Sequence, residues 1–297
     1  MKYEFVLVII ILVVVLALVW FQIFHLTNFT GSSSSSVMEN LEEMNVHSKD
    51  ENIDYYVITM KTPERMKNIE EQSEKLKAQG TPIQIEIVDA VVGVDLDLDE
   101  LIEQKKLSPD YPIHRTEKMK KKEIGCYMSH LKIYDMIQEK NGSGYSVIFE
   151  DDFDIASEHF LQGINSSLNY LKEHNLDFDV LYLGTVTNNH GELLNTNLYK
   201  IEKKVNLYGT HAMLINNNRI DKMIDYFKFM KLPIDNQYNF LYRSDKIKAY
   251  VIYPHIVNQQ WDKLGTIIGT ENFIPLNNSN LRRSKLNHDS LKYYKFE

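Results

Sequence analysis

Three consecutive acids, Glu150-Asp151-Asp152, follow directly on the apolar run Tyr145 to Phe149 (YSVIF). That run is preceded by the turn-forming residues Asn141 to Gly144 and has the length of a buried strand, so the acids are placed at its carboxyl end. Open α/β sheets bind their ligands at that edge. Side chains alternate along an extended chain, so Glu150 and Asp152 are predicted to share a face, where two carboxylates repel unless a cation joins them. Oxygen ligands of this kind suit Mg2+ or Mn2+. The alternative is a solvated turn. Asp95-Leu-Asp97, Asp97-Leu-Asp99, Asp152-Phe-Asp154 and Asp177-Phe-Asp179 repeat the Asp-X-Asp pattern without the same setting. Acids interleaved with Leu96, Leu98 and Leu101 read as a helix start or exposed edge, and Asp177 to Asp179 as a turn before a strand.

Elements that would position the acids are legible on both sides. Tyr55 to Met60 reads as a strand, followed by a helix capped at Thr62, with Pro63 at its first position and Gly80 just past its end. Met66, Ile69, Ser73 and Leu76 give that helix an inward face. Ile83 to Val88 alternates as a second strand running into Asp89-Ala90. Strand, helix and strand in this order signal a parallel α/β sheet. Ile124, Tyr127, Met128, Leu131 and Tyr134 recur at helical spacing. Ser157 to Asn175 reads as helix, Asp179 to Gly184 as strand, and Ile220, Met223, Ile224, Phe227 and Met230 mark a late amphipathic helix.

The first fifty residues are different in kind. Phe5 to Phe24 is uncharged and long enough to cross a bilayer as a helix, closing on Trp20, Phe21 and Phe24. Lys2 on the amino-terminal side favours that end inside, a type II arrangement. Gly31 and Ser32 to Ser36 open a polar linker too poor in apolar residues to pack. The expected organisation is an N-tail 1–4, a transmembrane signal anchor 5–24, a stem 25–53, a catalytic domain 54–275 and a polar tail 276–297. The catalytic domain would lie in the ER or Golgi lumen or on the exterior face; a bacterial-type membrane-associated enzyme is the alternative. Asn28, Asn141, Asn165 and Asn277 head glycosylation sequons compatible with a lumen.

The motifs resemble glycosyltransferase family 25, which includes bacterial lipooligosaccharide and animal procollagen galactosyltransferases. YYVITMKTPERMKNI, IVDAVVG, EIGCYMSHLKIYDMI, VIFEDDFDI, DVLYLG, YGTHAMLI, PID and YPHIVNQ stand in the family's order. The resemblance implies a GT-A type fold, a Rossmann-like mixed sheet flanked by helices. It also implies a UDP-sugar donor, Mn2+ or Mg2+, inversion at the anomeric carbon, and a hydroxyl of a glycan or glycoprotein as acceptor, with hexose as the transferred group. On that resemblance Asp152, Glu150 and His255 are candidate metal ligands. Arg65, Asp89, Glu123, Ser129, Glu150, Asp151 and His211 would line the donor site. Asp235 is the candidate general base, with His130 as a second catalytic candidate; Asp154 is a further acid near the cluster. A non-catalytic, membrane-tethered carbohydrate-binding protein of the same fold and a metal-dependent hydrolase are the competing classes.

Charge and cysteine usage bound the partners. A net charge of -8 and a pI near 5.7 leave no excess of clustered cations for nucleic acid. The basic run Lys118 to Lys122 reads as a solvated helix start. Cys126 is the sole cysteine, so no intramolecular disulfide forms. One turn from His130, it is weighed as a thiolate and read as a small buried residue.

Overall fold

The computed structural model describes residues 52–264 except 81–82, 112–114 and 188–189. The predicted anchor 5–24, the N-tail, the stem up to residue 51, residues 265–275 and the tail 276–297 lie outside the described residues. Among those described, no helix is long and apolar enough to cross a membrane.

The strands are β1 (Ile53–Thr59), β2 (Ile85–Asp89), β3 (Tyr145–Glu150), β4 (Phe153–Ile155), β5 (Val180–Tyr182), β6 (Glu192–Leu193), β7 (Leu198–Lys200), β8 (Ala212–Asn216), β9 (Ala249–Ile252) and β10 (Val257–Gln259). The helices are α1 (Pro63–Lys77), α2 (Leu98–Glu103), α3 (Glu117–Glu139), α4 (Phe160–Glu173), α5 (Ile220–Phe227), α6 (Ile234–Arg243) and α7 (Trp261–Leu264). Eight strands form one mixed sheet in the order β2-β1-β3-β8-β5-β9-β7-β6, and β10 pairs with β4 in a separate ribbon. The parallel trio β2-β1-β3 is joined by crossovers, whereas β8 runs antiparallel to β3 and β5.

Period-two alternation explains why β1 and β3 are apolar on both faces. Tyr56, Ile58 and Ile148 join the cluster beneath α3, α5 and α6, together with Ile124, Ile133, Phe227 and Tyr238. Tyr55, Val57, Val147 and Phe149 point the other way, onto Ile69 and Leu76 of α1 and Phe160 and Leu168 of α4. Each large apolar side chain so buried contributes about 1.5–3 kcal/mol. With helices on both faces, the sheet is Rossmann-like, as expected.

Local chemistry sets the boundaries. The Thr62 hydroxyl caps α1 by accepting from the Arg65 amide, Pro63 opens the helix, and Gly80 adopts φ +84 beyond its end. Asp97 caps α2, the helix start read from the Asp/Leu stretch. Two elements differ from expectation. The late amphipathic pattern ends as helix at Phe227, and Met230 instead bridges to Leu107. The Pro233-Ile234-Asp235 segment opens a further helix, α6, with Asp235 in its first turn.

Candidate active site

The acid run leaves the sheet in a turn. Phe149 and Phe153, both fully buried, stack with centroids 4.3 Å apart and clamp its base, so Glu150, Asp151 and Asp152 project from the end of β3 before β4 begins. The turn replaces the extended geometry expected for 150 to 152, and it sends the acids to different partners. Asp151 accepts from Arg65 Nη1 at 2.7 Å and from the Met60 amide at 3.3 Å. Asp152 lies 3.3 Å from Arg65 Nη1 and accepts from the Gln259 amide group at 3.2 Å. Glu150 accepts from the Thr210 hydroxyl at 2.6 Å and meets His130 Nε2 at 3.3 Å.

Helix α1 holds this turn through a polar inward face. Its buried residues include Arg65, Asn68 and Gln72 beside Ile69 and Leu76, while Met66 and Ser73 are only partly covered. The reason is the turn's own backbone. Asn68 Nδ2 donates to the carbonyls of Asp151 and Phe153, both at 3.0 Å, and Gln72 Oε1 accepts from the Ile155 amide at 2.9 Å. Buried carbonyls and amides need partners, and in the two-stranded ribbon one edge of β4 has no strand beside it among the described residues. Gln260 donates from its backbone amide to the Asp152 carbonyl at 2.7 Å, and Arg65 Nη2 reaches the Leu264 carbonyl at 3.2 Å, tying α7 to the same turn.

The electrostatics follow from burial. Asp151 and Asp152 are 4% and 5% exposed. Burial, followed by the nearby Glu150 charge, pushes the Asp152 carboxyl up to about 7, against the pull of Arg65. Burial likewise raises Asp151. Burial pushes Glu150 up as well, but the hydrogen bonds from His130 and Thr210 outweigh it and hold that carboxyl below the usual range.

A second acidic group sits on α3 and α6. Burial raises Glu123 to about 7, opposed by Arg115, whose Nε lies 3.3 Å from Glu123 Oε1. Burial raises Asp235 to about 6. Asp235 adds to the elevation of Glu123, and both carboxylates add to that of the Tyr111 hydroxyl, which has no hydrogen-bond partner among the described residues.

The remaining predicted residues take varied positions. Ser129 donates to the Gly125 carbonyl at 2.7 Å and accepts from the Val91 amide at 2.8 Å, fastening α3 to the loop after β2. That contact is backbone on backbone: a Cβ on Gly93 would lie 2.1 Å from the Lys121 carbonyl oxygen, and one on Gly125 2.8 Å from that of Val91. Asp89 is exposed and pairs with Lys61, which holds its carboxyl below the usual range. His211 is fully buried, and its carbonyl accepts from the Glu150 amide at 3.0 Å. His255 Nε2 meets Thr185 Oγ1 at 3.1 Å, and burial depresses its imidazole to about 4. Asp154 pairs with Lys75 at 2.6 Å on the surface side of the ribbon. Thr210, Gln259 and Asn68 were not predicted to hold the acids; all three lie inside the quoted motifs, but nothing in their spacing shows which carboxylate or carbonyl they reach.

The sequence is similar to known proteins. The profile described as glycosyltransferase family 25 (LPS biosynthesis protein) matches residues 52–238, more than half of the chain. The chain belongs to glycosyltransferase family 25. All of the acids and α3 fall within the family 25 match, and Asp235 near its end. Procollagen galactosyltransferase 1-A of Xenopus laevis is 34% identical over 126 residues, 40% of this chain and 20% of that protein. Procollagen galactosyltransferase 1-B of the same animal is 31% identical over 147 residues, 44% of this chain and 23% of that protein. This family 25 chain therefore matches less than a quarter of either relative's length. The solved apo-form glycosyltransferase GlyE of Streptococcus pneumoniae aligns at 10% identity and a TM-score of 0.30, over 67% of this chain and 45% of that one, too low a likeness to argue from.

Proposed function

We propose that this family 25 chain has GT-A organisation and transfers a hexose, galactose or glucose, from a UDP-sugar to a hydroxyl of a glycan or glycoprotein acceptor, with inversion. The observation that carries the reading is the clamped acid turn at the carboxyl end of β3. Asp152 is buried, accepts from Gln259 and lies beside Arg65, and yet is pushed to about 7, so the turn is short of positive charge. That deficit and the carboxylate oxygens of the turn suit a divalent cation of the Mn2+ or Mg2+ kind. Asp152 and Glu150 would hold it, and when bound it would neutralise charge on the departing diphosphate.

The chain's own residues supply the rest. Arg65, Thr210 and His130 fix the orientation of the carboxylates, so little reorganisation accompanies the reaction. Asp235, raised to about 6, is mostly ionised at neutral pH and close enough to it to accept the acceptor's hydroxyl proton efficiently. The names of the Xenopus relatives support galactose as the sugar. The uncharged run 5–24 supports a signal anchor, with the catalytic domain lumenal or exterior.

UDP release from UDP-galactose and UDP-glucose, with and without Mn2+ and acceptor, tests the reading. Asp152→Asn is expected to lower Mn2+-dependent turnover at least about 100-fold. Undiminished turnover refutes the metal assignment, donor cleavage indifferent to acceptor indicates a hydrolase, and glycan binding without metal-dependent donor binding indicates a non-catalytic protein.

A further inference from the structure

Among the described residues, one set of three potential metal-ligating side chains brings its ligand atoms within 4.8 Å of one another, and it is Cys126, His130 and Glu150. We propose that these three form a binding site for a borderline-soft divalent cation of the Zn2+ type, different in chemistry from the carboxylate site proposed around Asp152. Zn2+ takes thiolate, imidazole and carboxylate in tetrahedral geometry, whereas Mg2+ and Mn2+ prefer oxygen.

The geometry is close to what such a cation needs. Metal-ligand arms of about 2.0–2.3 Å at the tetrahedral angle place neighbouring ligand atoms about 3.3–3.8 Å apart. His130 Nε2 and Glu150 Oε1 already stand 3.3 Å apart. Closing the widest gap in the trio asks for no more than about 1.3 Å. Cys126 and His130 are one turn apart on α3, so their side chains rise from the same face of a rigid element. The site is reachable from solvent, since Cys126 is partly exposed and the Glu150 side chain is 21% exposed. His130 Nδ1 has no hydrogen-bond partner among the described residues and can carry the ring proton while Nε2 faces the cation. Binding would release the Cys126 thiol proton to solvent, leaving thiolate, neutral imidazole and carboxylate on one cation.

Function would be affected through Glu150. A cation held by this trio draws Glu150 away from Thr210 and from the oxygen site, so Zn2+ inhibits transfer in competition with Mn2+; this consequence, unlike the binding itself, rests on the transferase reading.

Because Cys126 is the only cysteine in the chain, thiol chemistry reports on this site alone. The full-length protein is alkylated with iodoacetamide in the presence of Zn2+, Mn2+ or Mg2+. Saturating Zn2+ is expected to slow modification at least about tenfold, with little effect of Mg2+. Where the thiol without metal is already too slow to alkylate, Cd2+ is the probe, and a thiolate-to-Cd2+ absorption band of one equivalent is expected. Cys126→Ser should abolish the band and weaken Zn2+ binding at least about 100-fold, more than loss of a supporting residue costs. In Cys126→Ser, UDP release with Mn2+ should persist while Zn2+ inhibition is lost. No protection by Zn2+ and no Cd2+ band, or equal protection by Mg2+, overturns the proposal. So does full protection in His130→Asn and Glu150→Gln variants that keep the wild-type circular dichroism. Absence of Mn2+-dependent turnover would sink the transferase reading and leave the thiol measurements standing.

Discussion

Glu123 is an acid whose charge the fold resists, and replacing it by Gln should show by how much. Its residue is 7% exposed, Oε2 has no hydrogen-bond partner among the described residues, and Arg115, a third exposed, approaches Oε1 at 3.3 Å. Burial lifts the carboxyl from 4.5 to about 7. The unfolded chain loses this proton near 4.5 while the folded chain keeps it to about 7, so folded molecules bind more protons across that window. Stability is therefore greatest below 4.5, falls as pH rises, and levels off above 7. The full drop amounts to about 3 kcal/mol. Glu123→Gln keeps the shape and removes the charge. At pH 8 the variant should unfold later in urea by an amount worth about 2–3 kcal/mol, and at pH 4.5 it should match the wild type to within about 1 kcal/mol, with an unchanged urea slope. Midpoints followed by far-UV circular dichroism at several pH values give the comparison. A variant less stable than wild type at pH 8 would mean that the Arg115 pair outweighs desolvation, and the account of Glu123 as a charge held against its environment would be wrong.

Other substitutions probe the scaffold and the chemistry. Arg65→Ala leaves Asp151 and Asp152 buried without their cation and should cost about 3–5 kcal/mol in chemical denaturation, with a smaller further loss when Asp151→Asn is added. Gly93→Ala drives a Cβ against the Lys121 carbonyl oxygen, and a loss of roughly 1–3 kcal/mol in thermal unfolding is expected. Asp235→Asn should reduce kcat by about 100- to 10,000-fold with the fold intact, and should remove the acidic limb near pH 6 from the pH-rate profile.

The strands and helices next to the acids were readable because burial on two faces, a Thr-Pro start and a positive-φ glycine leave strong local marks. The acid run was readable as a strand-end cluster for the same reason. Its internal geometry was not. Whether 150 to 152 runs on as strand or turns depends on Phe149 stacking on Phe153 and on Asn68, far away in sequence, taking the turn's carbonyls. Asn68 and Gln72 look like solvent-facing residues by type, and only the unpaired backbone of the acid turn explains why they point inward. The expected elements include no helix over 234–243, although Ile234, Tyr238 and Leu241 share a buried face there.

Glu123 and His130 ride on one helix, seven residues apart, so two turns of α-helix, about 10 Å, separate the levels at which they leave it. One end of this ruler stands at Glu150 and the other beside Arg115. The spacing is graduated in backbone hydrogen bonds, and α3 cannot slide while Gly93 and Gly125 lie against each other. The interval between the two acidic groups is then set by α3 itself, so substitutions in the surrounding loops would leave it unchanged.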